Sequence, residues 1–283
     1  MARTKMNEKK KTAIIISASS DIGSALSQRW LSRGWSVLGT YRKRSAAVEK
    51  LARAGAELFR CDLLNGAAIK KTCRQLAAHR AKWDALVLCP GTLEPVGHFM
   101  RSDFNKWEKS IQVNFISQMR IVHSLLPSRQ LVSPDGPCVL FFAGGGTNSA
   151  PVNYSAYTIS KIALIKMTEL LDAEIPDTRF AIIGPGWVGT KIHQATLKAK
   201  GKAGGHYQVT VKKLKSDELT PMDKVLDHCD WVVRCPKKVV GGRNFSTVFD
   251  PWGAQELEER LAGEPQMYKL RRFGNEWFLR HDR

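Results

Sequence analysis

No apolar run in the 283 residues approaches the length needed to cross a membrane. The basic opening, Met1 to Lys11, has no apolar core of the kind a secretory signal carries. A disordered basic tail is expected there, ahead of a soluble, cytoplasmic chain. No two of the six cysteines (Cys61, Cys73, Cys89, Cys138, Cys229 and Cys235) form a C-x-x-C pair. That argues against a zinc or disulfide framework and for reduced thiols, and no metal site is expected. There is no internal repeat and no linker to mark a second domain. The net charge of +18, from 44 Lys and Arg against 26 Asp and Glu, suggests an anionic partner. No aromatic-and-basic recognition pattern, zinc signature or helix-turn-helix accompanies that charge. A phosphorylated cofactor or substrate is therefore expected rather than nucleic acid.

What is present is alternation. Short apolar runs at 12–17, 35–40, 57–61, 85–88, 137–142 and 180–183 read as strands. Helical patterns separate them at 24–33, 45–54, 65–79, 103–126 and 155–173. Six strand–helix alternations predict an α/β fold: one doubly wound, Rossmann-type parallel sheet with helices on both faces. The domain is expected over 12–263, with a C-terminal extension over 264–283. Residues 187–220 are polar and carry no strong period; from Lys191 to Lys215 there are seven lysines and no acid. Thr220-Pro221 then reads as the cap and first turn of a helix to about Val233, and 244–249 as a last strand.

Tyr157 and Lys161 are four apart, so on a helix both side chains share one face. An ammonium beside a phenol favours the phenolate, which would bring the tyrosine toward the working range of a general acid. By itself the spacing fits any amphipathic helix. Its setting adds weight, because a strand-to-helix turn, Ser17-Ala18-Ser19-Ser20-Asp21-Ile22-Gly23, follows the first strand. Helix N-terminal amides with the hydroxyls of Ser19 and Ser20 could hold a pyrophosphate there. Asp21 is unfavourable beside such an anion unless it points away or caps the helix. At the end of the second strand stands Tyr41-Arg42-Lys43-Arg44, with no acid before Glu49. A basic group at that place accommodates a 2′-phosphate, so Arg42 favours NADP over NAD.

The order of these motifs over about residues 12–250 resembles the short-chain dehydrogenase/reductase family, whose hallmark is Tyr-x-x-x-Lys. The resemblance implies an NADP-dependent oxidoreductase working on a carbonyl or alcohol. It gives Tyr157 and Lys161 catalytic roles and makes Asn114 the support of a water-linked proton relay. It implies cofactor contacts from Ser17, Ser19, Ser20, Ile22 and Gly23 in the turn, from Arg42, Asp62 and Gly91, from Tyr157 and Lys161 themselves, and from Pro185, Gly186, Val188 and Thr190 after the sixth strand. It also makes 187–220 a substrate lid whose lysines suit an anionic substrate, such as a nucleotide sugar or a carrier-linked acyl group. Association as a homodimer or homotetramer through helices 103–126 and 155–173 is implied as well. Departures stand beside these matches. Of three family glycines in the turn only Gly23 remains, Ser17 and Asp21 taking the other places. Where the family's catalytic serine is expected the chain has Gly144, in Gly144-Gly145-Gly146-Thr147. Thr147 or Ser149 could serve from a reshaped loop, backbone N–H groups of the glycines could serve as an oxyanion-type donor set, or the site no longer turns over. In the last case the chain would be an NADP-binding sensor or scaffold.

Overall fold

A computed structural model describes residues 10–79, 82–132 and 136–273. Residues 1–9 of the expected basic tail and 274–283 of the expected extension lie outside the described residues. In chain order the elements are β1 (Thr12–Ile16), α1 (Asp21–Ser32), β2 (Ser36–Tyr41), α2 (Ala46–Arg53), β3 (Glu57–Arg60), α3 (Gly66–Ala77), β4 (Ala85–Leu88), α4 (Phe104–Ile111), α5 (Ser117–Leu125), β5 (Cys138–Phe142), α6 (Ser155–Glu174), β6 (Arg179–Gly184), α7 (Gln194–Ala199), α8 (Gly205–Lys215), α9 (Met222–Arg234), α10 (Lys237–Val240), β7 (Arg243–Ser246) and α11 (Gln255–Gly263). The strands form one seven-stranded sheet in the order β3-β2-β1-β4-β5-β6-β7, and all six pairings are parallel. The doubly wound α/β expectation is met.

The sheet is held by burial on both faces. In β1 every residue is buried, and successive side chains enter opposite cores. Ala13 and Ile15 join Leu26 and Trp30 of α1 and Val225, Cys229 and Val232 of α9. Ile14 and Ile16 join Ile69 and Leu76 of α3, Ile121 and Leu125 of α5, and Leu164 of α6. Each fully buried isoleucine contributes about 1.5–3 kcal/mol. Polar contacts set the seam between α1 and α9: the Trp30 indole N–H donates to Asp230 (2.8 Å), and Arg29 reaches Asp223, Asp227 and Asp230.

Three local expectations change. The helix expected over 103–126 is interrupted: α4 passes into a π-helical turn over Gln112–Ile116 before α5 resumes. A π-turn holds one residue more than a regular turn, and the apolar spacing that led to the expectation of one helix does not reveal it. Thr220 does not cap α9. Pro221 stands at the N-cap, while the Thr220 N–H donates to the Trp187 carbonyl (2.7 Å). The polar segment 187–220 is helical, with α7 and α8 flanked by 3-10 turns over Lys191–His193 and Lys200–Ala203. The buried side chains of this segment are Val188, Thr196, Ala203, Thr210 and Thr220, and within its helical turns no large apolar residue marks the period.

At the β7 edge the Asn244 N–H donates to the Tyr268 carbonyl (2.9 Å), which lays residues near 268 against the sheet. No helix among the described residues is long and apolar enough to cross a membrane.

Candidate functional site

The strand order reverses between β1 and β4, so their C-terminal ends open a crevice there, where doubly wound sheets bind ligands. The turn after β1 forms one wall. Ser17 adopts φ +61°, the left-handed region glycine favours, and its N–H is anchored on the Thr40 hydroxyl (2.9 Å). Ser20 caps α1 by accepting from the Gly23 N–H (3.1 Å). Gly23 is needed for closeness, since a Cβ there would stand 2.6 Å from the Ser17 carbonyl oxygen. The first intrahelical bond of α1 runs from Ser24 to Ser20, which leaves the N–H groups of Asp21 and Ile22 in the unpaired first turn, facing the crevice end of the helix. Gly39 of β2 lets the turn approach the sheet: its Cβ would lie 2.7 Å from Ala18 Cβ. This turn, glycine-supported and rich in amides, fits a dinucleotide pyrophosphate.

Arg42, Lys43 and Arg44 are exposed just beyond β2. Asp62, also exposed, accepts from the Leu64 N–H (3.0 Å) and so shapes the turn after β3. Gly91 follows β4, and the lid residue Ile192 lies over it, its Cδ1 3.4 Å from where a Cβ would stand. Asp21 does not cap α1 and is instead engaged by Lys191: it accepts from the Lys191 N–H (2.7 Å) and pairs with Lys191 Nζ (3.3 Å).

Tyr157 and Lys161 share one face of α6, and both are buried. Lys161 Nζ donates to the Phe142 carbonyl at the end of β5 (2.8 Å) and stands 5.8 Å from the centre of the Tyr157 ring. Burial pushes the Lys161 ammonium down to about 8. Burial also pushes the Tyr157 phenol up to about 12. The protein alone therefore does not deliver the lowered phenol expected from the spacing, because loss of water outweighs the nearby ammonium. The Tyr157 hydroxyl rests on Gly144, where a Cβ would lie 2.4 Å from it. At this place the chain has room for the tyrosine oxygen or a side chain, not both.

Thr147 turns its hydroxyl back toward the Gly144 carbonyl (3.4 Å), and Ser149 is exposed. Gly146 takes φ +83°, and Pro151 packs on it so closely that a Cβ would stand 2.5 Å from Pro151 Cγ. Asn114, fully buried in the π-turn, clamps the loop after β4. Its Oδ1 accepts from the Thr92 N–H (2.9 Å), and its Nδ2 donates to the Thr92 carbonyl (2.9 Å) and to Ser110 (3.2 Å). The Asn114 carbonyl is taken by the Gln118 amide (2.7 Å). Reading the sequence missed Gln118; its one signal is a polar residue one turn after Asn114 on a buried face.

Pro185-Gly186-Trp187-Val188 leads from β6 into the lid. Gly186 has φ +78° and lies tight against Thr220 and Val248, and Val188 is buried. Thr190 stands at the foot of the first lid turn. The 187–220 segment also docks on the start of α6: the Tyr154 hydroxyl and Thr196 hydroxyl share a buried hydrogen bond (2.9 Å), and His206 meets the Tyr154 ring edge-on. Tyr154 and Thr196 were likewise missed, since nothing local marks a contact 42 residues apart. Among the described residues no three His, Cys, Asp or Glu side chains group as a metal site.

Residues 11–201 match the short chain dehydrogenase family, and the chain belongs to it. A fatty acyl-CoA reductase of Acinetobacter baylyi is 28% identical over 183 residues, covering 62% of this chain and 61% of that protein. The chain spans 61%, 54% and 60% of the lengths of three curated relatives it matches. Among solved structures, the short chain dehydrogenase/reductase YIR035C of Saccharomyces cerevisiae superposes with a TM-score of 0.74 at 20% identity, over 92% of this chain and all of that one. An actinorhodin polyketide ketoreductase with NADPH superposes at 0.73 with 16% identity, over 84% of this chain and 95% of that one. At these identities the structural likeness is one of fold.

Proposed function

We propose that this member of the short chain dehydrogenase family is an NADP-dependent oxidoreductase acting on a carbonyl or alcohol carbon of a small molecule. The observation that carries the reading is the buried Tyr157–Lys161 pair on one face of α6, beside a turn suited to a pyrophosphate. When bound, the nicotinamide supplies or accepts the hydride. The residues of the chain do the rest. Tyr157, with its hydroxyl lodged over Gly144, gives a proton to the substrate oxygen or takes one from it. Lys161 at about 8 stays mostly charged at neutral pH, and an ammonium on the same helix face favours the phenolate form. The N–H groups of the Gly144–Thr147 turn form the donor set for the substrate oxygen, joined by the Thr147 hydroxyl once it leaves the Gly144 carbonyl. Asn114 is a positioning residue that fixes the loop carrying Gly91 and Thr92.

The preference for NADP rests on Arg42, Lys43 and Arg44 at the end of β2, with no carboxylate before Glu49. The NADPH held by the ketoreductase of the same fold supports it. The lysines of the lid favour an anionic substrate, a nucleotide sugar or a carrier-linked acyl group being the fitting classes. Ile159 and Leu170 leave apolar side chains exposed on the outward face of α6, which suits a homodimer or homotetramer built on α4, α5 and α6.

The test is a titration with NADPH and NADH followed by turnover on a carbonyl panel. NADPH is expected to bind more tightly than NADH, and Arg42→Ala to narrow the gap. Tyr157→Phe is expected to keep NADPH binding and lose on the order of a hundredfold or more in turnover. A preference for NADH would remove the Arg42 argument, and turnover indifferent to Tyr157→Phe would remove the catalytic one.

A further inference from the structure

The first lid turn crosses the crevice rather than hanging beside it. Lys191 is bonded through its backbone N–H to Asp21 Oδ2 (2.7 Å), and its ammonium reaches Oδ1 (3.3 Å). The next residue, Ile192, rests over Gly91. Asp21 opens α1 after β1, and Gly91 follows β4, the adjacent strand on the other side of the switch point. One turn of lid thus spans the mouth of the place where the pyrophosphate fits. Further on, Thr196 and His206 dock on Tyr154, and Lys202 approaches Gly97. The lid is fastened on the cofactor wall and on the catalytic helix.

An unpaired carboxylate at this position would repel a diphosphate. Paired with Lys191 it is locally neutral, and the carboxylate-to-amide bond holds backbone rather than a mobile side-chain tip. We propose that Asp21 and Lys191 form a latch that fixes the lid over the bound dinucleotide and governs its release, with Asp21 as a positioning residue. This rests on the NADP reading for its ligand, but the latch itself is a property of the protein without nucleotide.

The two contacts rank the variants. Asp21→Ala removes both, Asp21→Asn keeps an uncharged acceptor for the amide, and Lys191→Gln keeps the amide bond and loses the exposed pair. That pair is 79% exposed on the lysine side and contributes little. NADPH release, followed by stopped-flow fluorescence on displacement, is expected to quicken about five- to tenfold in Asp21→Ala, less in Asp21→Asn and least in Lys191→Gln, which keeps the amide bond and loses only a largely screened charge. In nucleotide-free protein of unchanged circular dichroism, trypsin is expected to cut at Lys198, Lys200 and Lys202 in the same order of rates. If Asp21 acts only as a repelling charge, Asp21→Ala and Asp21→Asn instead slow release and leave the cuts unchanged, which overturns the latch. Should neither NADPH nor NADH bind, the cofactor reading fails. The trypsin arm still decides: faster lid cutting in Asp21→Ala supports the latch, and equal cutting refutes it.

Discussion

Lys161→Met is expected to stabilise the fold while removing its chemistry. The ammonium is 2% exposed, and its hydrogen bond within the protein goes to the Phe142 carbonyl. Burial brings it from 10.5 to about 8. At about 1.4 kcal/mol per pH unit, holding that charge inside disfavours the folded state by about 3 kcal/mol at neutral pH. Replacing it with an unbranched apolar chain of similar length forfeits the bond to Phe142, worth about 1 kcal/mol. The net expectation is a gain of about 2 kcal/mol at pH 7, read by urea unfolding of the cofactor-free protein.

The pH dependence has a fixed sign. A base whose folded value is depressed binds more protons unfolded than folded between pH 8 and 10.5, so the wild type gains stability as pH rises through that window. The advantage of Lys161→Met is full below pH 8 and shrinks toward pH 10.5. Tyr157 and the buried thiols, raised by burial, pull the other way at high pH in both proteins, so the difference between the two curves isolates the lysine. A mutant less stable at pH 7, or a difference equal at pH 7 and pH 10, would refute the claim that Lys161 is held at the expense of stability.

Gly144→Ser, which puts back the side chain the family resemblance expects, should not raise turnover. Its Cβ would stand 2.4 Å from the Tyr157 oxygen and 2.6 Å from two ring carbons, so the phenol must move, and a loss of about 1–3 kcal/mol in unfolding together with lower kcat is expected. Arg243 is 3% exposed and donates to the carbonyls of Lys238, Val239, Leu261, Glu264 and Met267, binding the ends of α10 and α11 to the sheet edge. Arg243→Met should lower stability by about 3–4 kcal/mol in thermal or urea melts, and Arg243→Lys should recover part of it, since an ammonium keeps three of the donors.

The sheet was legible because strands buried on both faces are unbroken apolar runs, and Thr12–Ile16 or Cys138–Phe142 can hardly be anything else. The Tyr157–Lys161 pair was legible because helical spacing places two side chains together without tertiary information. The rest depends on distance in the fold. The π-turn at Asn114 is set by packing and is not marked by any residue type in the segment. The lid helices bury threonine and alanine instead of leucine. Arg243 reads as one more charge in a basic chain until the carbonyls around it are seen. The phenol was misjudged for a related reason: spacing reveals the neighbouring ammonium but not the loss of solvent, and here the solvent effect is larger.

The departures from the family pattern are better understood as pairs than as losses. Ser17 takes a glycine's place at φ +61°, and its N–H is fixed by the Thr40 hydroxyl 23 residues on. Asp21 takes another, and its charge is met by Lys191 across 170 residues. Gly144 stands where a serine is expected, and its missing side chain is the space that Tyr157 fills with its hydroxyl. In each case the second residue supplies the bond, the charge or the volume that the first one changes. A single reversion therefore tests a pair and not a position. Gly144→Ser alone collides with the tyrosine, and Asp21→Gly alone removes both contacts to Lys191. In this chain the carboxylate at the crevice between β1 and β4 is paired with Lys191, and Ile192 lies over Gly91 at the crevice's other wall.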